Sequence, residues 1–182
     1  MMLHTNRHKY PDLLTHIQSY ADRESTCLKV AVGALLVDGD YLDSFEFSVF
    51  DPKSDTAYIP GLYGCNASAV KQLSCKSIGC LRMQKYGEQC KEHRNPEDCR
   101  SVHSEIQVIS RAASLGMVTD NKVVIVTRYP CEACAKAIIK AGISTVIYGR
   151  EQKISEQTAE MFKLAGIEVV HVPEWIYKDR TD

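Results

Sequence analysis

No apolar run in the 182-residue sequence approaches the roughly 20 residues needed to cross a bilayer, which argues against a helical membrane protein. The opening stretch, MMLHTNRHKYPD, has no apolar core, so a secretory leader is not expected. Neither sign of charge is in excess. Lys and Arg number 22 against 23 Asp and Glu, for a net charge of −1. A protein that grips nucleic acid through its whole surface is therefore not expected, although a local basic patch stays open. Internal repeats and low-complexity tracts are also missing. With 45% apolar and 25% charged residues, the composition is that of an ordinary globular protein. The expectation is one cytoplasmic domain over residues 1–182, long enough to bury a core without disulfide help.

Cysteine is not scarce. There are eight: Cys27, Cys65, Cys75, Cys80, Cys90, Cys99, Cys131 and Cys134. In a chain without a leader, such a count points to metal binding or catalysis rather than to a disulfide framework. Five of the eight fall between residues 65 and 99. A stretch of this length without periodicity, here about 51–100, is either functional or held by something. It reads as a Cys-rich insertion.

Outside that insertion the pattern is regular. YPDLLTHIQSYAD (10–22) is an amphipathic helix with Pro11 in its first turn. KVAVGALLV (29–37) is a strand with Gly33 as its weak point or bulge, and Asp38-Gly39 signals a hairpin returning over 41–50. SEIQVISRAASLG is a helix ending at Gly116, and KVVIVT (122–127) a short buried strand. CEACAKAIIKAG is a helix closed by Gly142, and STVIYG (144–149) a strand. SEQTAEMFKLAG is a helix with a capping-box start at Ser155, and IEVVHV (167–172) a strand. Strands alternating with helices of this length give βαβ units and a partly parallel sheet, an α/β fold.

Two helix starts carry the chemistry. His103-Ser104-Glu105 opens one, and Pro130-Cys131-Glu132-Ala133-Cys134 opens the next, directly after a strand. Cysteines at i and i+3 share a helix face, so both sulfurs can reach one ion. At a helix N-terminus the dipole favours thiolate over thiol. His103 adds a neutral nitrogen, which makes three ligands and leaves a fourth position open, as a zinc that activates water requires. Glu105 stands close enough to move protons without binding the metal. Taken alone, the Cys-x-x-Cys pair also fits a redox couple, and the His-x-Glu fits simple helix capping. Their joint appearance favours catalytic zinc. It matches the H-x-E…P-C-x-x-C signature of zinc deaminases.

At these residues the chain resembles the cytidine deaminase superfamily, and within it the deoxycytidylate (dCMP) deaminase branch. The resemblance runs from Glu24-Ser25-Thr26-Cys27 and Val32-Gly33-Ala34 through CRSVHSE to PCEACAKAIIKAGISTVIYG and AGIEV. It implies a three-layer α/β/α sandwich around a five-stranded mixed sheet. The implied reaction is hydrolytic release of ammonia from C4 of cytosine, most of all dCMP to dUMP, with His103, Cys131 and Cys134 on zinc and Glu105 moving protons. It also implies a homo-oligomer and regulation by dCTP and dTTP. The branch often carries a second, structural zinc. A closed site needs four ligands, and Cys27, Cys75, His93 and Cys99 are favoured here, with Cys80 and Cys90 as substitutes. Free buried thiols are the alternative.

The chain departs from the branch where substrate is held. Gln107 stands in the usual Asn position after the His-x-Glu. Gly61-Leu62-Tyr63-Gly64 stands for the usual Gly-Tyr-Asn-Gly, which replaces the Asn by Tyr63 with Asn66 close behind. The basic residue commonly found eleven positions after the zinc histidine is Ser114 here, and Arg111, a turn earlier, is the nearest substitute for a phosphate ligand. Three other functions stay open: deamination of a modified or different base, nucleoside or nucleotide; a metal-stabilised regulator that has lost catalysis, which the intact Glu105 disfavours; and a nucleic-acid editor, which the net charge disfavours.

Overall fold

The computed structural model describes residues 7–44, 60–91, 96–152 and 155–177. Five strands form the central sheet: β1 (Gly33–Val37), β2 (Leu62–Cys65), β5 (Val123–Arg128), β6 (Thr145–Arg150) and β7 (Glu168–His171), in the order β2-β1-β5-β6-β7. β1 runs antiparallel to both its neighbours, while β5, β6 and β7 are parallel, so the sheet is mixed. Near-continuous apolar runs such as VVIVT and TVIY suit strands covered on both faces.

Alternation along the strands assigns those faces. Leu35, Val37, Ile125 and Ile147 pack on Leu13, Leu14 and Ile17 of α1 (Tyr10–Glu24), all in one core cluster. Ala34, Leu36, Val124, Val126 and Val146 pack instead on α5 (Ser104–Ser114), α6 (Glu132–Lys140) and α7 (Glu156–Leu164), through Val108, Ala112, Ile138 and Phe162. The result is the expected three-layer α/β/α sandwich around a five-stranded mixed sheet. Gly33 is no bulge. It is the point of closest approach of α1, where a Cβ would lie 2.6 Å from the Ile17 carbonyl oxygen. Ser155 caps α7 as anticipated, its hydroxyl accepting from the Thr158 amide at 3.4 Å, but residue 158 is Thr, which lacks the reach to complete the reciprocal half of a capping box.

The hairpin expected at Asp38-Gly39 is absent. The chain turns there into a short helix, α2 (Gly39–Ser44), and the strand that returns beside β1 is β2. Gly39 does not take the positive φ that a two-residue hairpin turn demands. The Asp38 carbonyl instead accepts from the Leu42 amide, and the Asp38 carboxylate is held by Lys122 at 2.8 Å. The part of the expected return strand at 45–50 lies outside the described residues.

The Cys-rich segment is not one shapeless loop. It contains α3 (Cys75–Ile78) and α4 (Leu81–Tyr86), and its ends are joined by a small ladder in which β3 (Ala67–Ser68) pairs with β4 (Ser101–Val102). Among the described residues no helix is long and apolar enough to cross a membrane.

Candidate active site

His103 is the N-cap residue of α5 and Cys131 that of α6, yet neither side chain caps its own helix. The two are turned toward each other. His103 Nδ1 lies 3.4 Å from the Cys131 sulfur and 3.4 Å from the Cys134 sulfur. Among the described residues, this trio is the group of His, Cys, Asp or Glu whose ligand atoms all fall within 4.8 Å of one another. Gly64 of β2 lets α5 come this close, since a Cβ there would lie 2.8 Å from both the Ser104 carbonyl oxygen and Val108 Cγ1.

The protons of the trio are unequally held. Hydrogen bonds from Cys134 and His103 pull the Cys131 thiol down to about 4, against the opposing effect of burial. Cys134 is pushed far up, because it keeps the proton shared with Cys131 and is buried. The Cys131 contact also raises His103. A thiolate, a second soft sulfur and an imidazole nitrogen are a donor set suited to zinc, and three ligands leave a fourth position for water.

Glu105 lies beside this set and is 4% exposed. Burial raises its pKa above the usual carboxylate range, opposed by lesser hydrogen-bonding and charge effects. The fully buried Ser104 hydroxyl donates to Glu105 Oε2 at 3.0 Å and fixes the plane of the carboxylate. Cys134 also lies within hydrogen-bonding reach of that carboxylate. A buried carboxyl beside a metal-ligand set is placed to take a proton and return it.

His103, Glu105 and Cys131 line a cavity of about 770 Å³. Of the residues expected to meet substrate, Asn66 also lines it, while Tyr63, Gln107 and Arg111 do not. Tyr63 points to the other side of the sheet, packed against His16 and Tyr20 of α1. β1 and β2 pair Gly33 with Cys65, Ala34 with Gly64 and Leu35 with Tyr63, which sets Tyr63 on the same face as Leu35, toward α1. Gln107 donates to the Ala67 carbonyl at 3.3 Å. Arg111 is exposed on α5, and its charge bears on Tyr20 of α1 instead.

The remaining cysteines divide into three kinds. Cys65 is buried beside Ala21 and Ala31, and burial raises its thiol to about 11. Cys75 is likewise raised to about 11 by burial, and then by the neighbouring sulfurs of Cys80, Cys27 and Cys99. Cys75 thus has Cys80, Cys27 and Cys99 as neighbours, although among the described residues their sulfurs do not all fall within 4.8 Å of one another; His93 lies outside the described residues. The Cys90 sulfur lies 2.6 Å from the Lys29 ammonium. Sequence reading missed Lys29, Arg82, Arg100 and Arg128, all of which line the cavity. Arg100 stands within the CRSVHSE motif, while Lys29 and Arg82 lie near Cys27 and Cys80 and Arg128 ends a buried strand, signals that assign no role by themselves.

Comparison with known proteins agrees with this geometry. The family model for MafB19-like deaminases matches residues 63–178. ComE operon protein 2 of Bacillus subtilis (strain 168) is 32% identical over 148 residues, covering 81% of this chain and 63% of that protein. The deoxycytidylate deaminase of enterobacteria phage T2 is 35% identical over 89 residues, 46% of this chain and 47% of that one. The chain thus spans less than two thirds of the length of these relatives. Among solved structures, the dCMP deaminase from the cyanophage S-TIM5 in complex with dCMP and dUMP shares the fold, with a TM-score of 0.59 and 18% identity over 94% of this chain and 100% of that one. With its mixed five-stranded sheet and its His-x-Glu and Cys-x-x-Cys helix starts, the chain belongs to the MafB19-like deaminase family.

Proposed function

We propose that this chain is a zinc-dependent hydrolase that deaminates a pyrimidine nucleotide, with dCMP as substrate and dUMP and ammonia as products. The observation that carries the proposal is the buried Glu105 carboxyl set against the converging His103, Cys131 and Cys134. Those three residues would hold the zinc. The metal, when bound, lowers the pKa of a water enough to make it a nucleophile at neutral pH. Glu105 takes the proton released and delivers it to ring N3, which makes C4 electrophilic. The water oxygen bonds to C4, and a second transfer through Glu105, carrying the proton of the new hydroxyl to the exocyclic nitrogen, lets the C4–N bond break and ammonia leave. Ser104 keeps the carboxylate aimed throughout. Asn66 supports the cavity wall. Its Oδ1 accepts from the Ser25 hydroxyl and the Val32 amide, and its Nδ2 donates to the Val30 carbonyl, each at 2.8 Å.

A second, structural zinc is part of the same proposal, held by Cys27, Cys75, Cys80 and Cys99 and tethering the insertion to the segment before β1. The nearness of Cys80, Cys27 and Cys99 to Cys75 is the observation behind it.

The test is ammonia release from dCMP, CMP, deoxycytidine and C5-substituted dCMP by the purified zinc-loaded protein. Glu105→Gln should lower turnover by about 10²- to 10⁴-fold, the usual worth of general acid–base help, with zinc content unchanged. Turnover by Glu105→Gln near the parent rate would refute the assignment.

A further inference from the structure

We propose that Arg100 and Arg82 of the Cys-rich insertion, with Lys29 from the segment before β1, form the anion subsite that selects a phosphate monoester. This rests on the deaminase reading above and names what it left open, the residues that choose nucleotide over nucleoside. The chain as a whole is nearly neutral, but its cavity wall is not. Five cations line it, Lys29, Arg82, Arg100, Arg128 and Lys136, against three acids, Asp98, Glu105 and Glu132. The acids are already committed. Glu132 holds Lys136 at 2.6 Å. Asp98 takes Lys85 at 2.9 Å and the Tyr86 hydroxyl at 2.7 Å. Glu105 takes the Ser104 hydroxyl on its Oε2 at 3.0 Å.

Arg100 has the clearest vacancy for a ligand. Its Nε is buried with no hydrogen-bond partner among the described residues. Its Nη2 reaches Gln84 Oε1 only at 3.5 Å. A guanidinium donor buried without an acceptor is costly, and a phosphate oxygen is the acceptor that its planar fork fits best. Arg100 stands three residues before His103, across the extended β4. That places its Cα at most about 10 Å from that of the metal ligand. An arginine there can reach the far end of a nucleotide whose base sits at the metal. Arg82 adds a second positive charge, felt by both His103 and Asp98. Lys29 adds a third, its ammonium lying against the Cys90 sulfur. Arg82 lies two residues after Cys80, and Arg100 directly after Cys99. The insertion thus supplies the charge that Ser114 cannot.

The experiment compares kcat/KM for dCMP and deoxycytidine in the zinc-loaded parent, Arg100→Ala and Arg100→Lys. The ratio of the two efficiencies should favour dCMP in the parent. It should fall about 10- to 150-fold in Arg100→Ala, the range for a lost charge-assisted bond, and recover in part in Arg100→Lys. Thermal protection by dUMP, deoxyuridine and inorganic phosphate is measured on the same proteins. dUMP should protect the parent more than deoxyuridine or phosphate alone, and Arg100→Ala should erase the advantage of dUMP over deoxyuridine. Protection by phosphate equal to that by dUMP would mean a general anion site and overturn the assignment to substrate. An unchanged ratio in Arg100→Ala, or a parent without preference for dCMP, would also overturn it. If the parent releases ammonia from neither compound, the deaminase reading fails, and the protection series still decides whether Arg100 binds the phosphate.

Discussion

Asn66 makes the sharpest stability forecast. Its side chain is 7% exposed and makes three hydrogen bonds of 2.8 Å, to the Ser25 hydroxyl, the Val32 amide and the Val30 carbonyl. Together they pin the segment before β1 to the end of β2. Each such bond contributes about 0.5–1.5 kcal/mol, and a buried partner left unsatisfied costs about 1–3 kcal/mol. Asn66→Ala strands the Val32 amide and the Val30 carbonyl, although water can recover part of that. The expected loss is about 2–5 kcal/mol, a large share of the 5–15 kcal/mol that separates typical folded and unfolded states. Urea denaturation of parent and variant at constant zinc measures it. Asn66→Asp gives a second, independent reading. A carboxylate keeps both acceptor roles but turns a second acceptor onto the Val30 carbonyl, while a protonated carboxyl can donate to it. Its folded-state pKa is therefore raised, so the variant is closest to the parent at low pH and loses stability as pH rises through that value. A loss under about 1 kcal/mol in Asn66→Ala, or an Asn66→Asp deficit that grows on acidification, would refute the account.

Three further outcomes are expected. Gly64→Ala puts a Cβ against the Ser104 carbonyl and Val108, so α5 must back away, and kcat for ammonia release should fall about 10- to 100-fold with a smaller change in Tm, because misplacement by an ångström is that costly at a reacting centre. Asp98 is held below the usual carboxylate range by its bonds to Lys85 and Tyr86, so its contribution is complete above about pH 4 and lost as pH falls through its depressed value; the Tm gap between parent and Asp98→Asn should be open at pH 7 and close toward pH 3. Cys75→Ser should lower bound zinc by one ion per chain and lower Tm, leaving the ion at His103, as metal analysis with thermal melts would show; unchanged zinc would remove the second metal.

What could be read from the sequence follows from which signals are local. The convergence of His103 with Cys131 and Cys134 was legible because each ligand sits at or near a helix start, and a helix start is announced by its neighbours in the chain. The strands β5, β6 and β7 were legible for a related reason, since their apolar runs are continuous and bounded by Gly or by helix caps. Asp38-Gly39 misled because a turn dipeptide says nothing about the partner that captures its carboxylate, and Lys122 lies 84 residues away. Tyr63 was misassigned because the face on which a strand residue points depends on register, and only the Gly33–Cys65 pairing fixes that register. Arg111 failed differently. Helical spacing from His103 gives a direction around α5, and that direction leads toward Tyr20, away from the cavity.

The division of labour within the site explains why its two halves differ in legibility. The groups assigned to the chemistry stand on α5 and α6, rigid elements packed through Val108, Ala112 and Ile138 into the core, each of the three fully buried. Their positions are over-determined, so a few residue types at fixed spacing suffice to announce them. The groups assigned to phosphate selection stand on an insertion with few buried apolar residues, whose order must come from the thiols and from ion pairs such as Lys85–Asp98. Nothing periodic encodes such a surface. It also follows that the two halves can change independently. Altering the insertion around Arg82 and Arg100 would redirect the choice of substrate without disturbing the packing that holds Glu105 against His103, Cys131 and Cys134. Substitutions behind α5, such as Gly64→Ala, would damage turnover of every substrate alike. A variant set that separated in this way, ratio effects from one half and uniform effects from the other, would locate specificity in the insertion and chemistry in the sandwich.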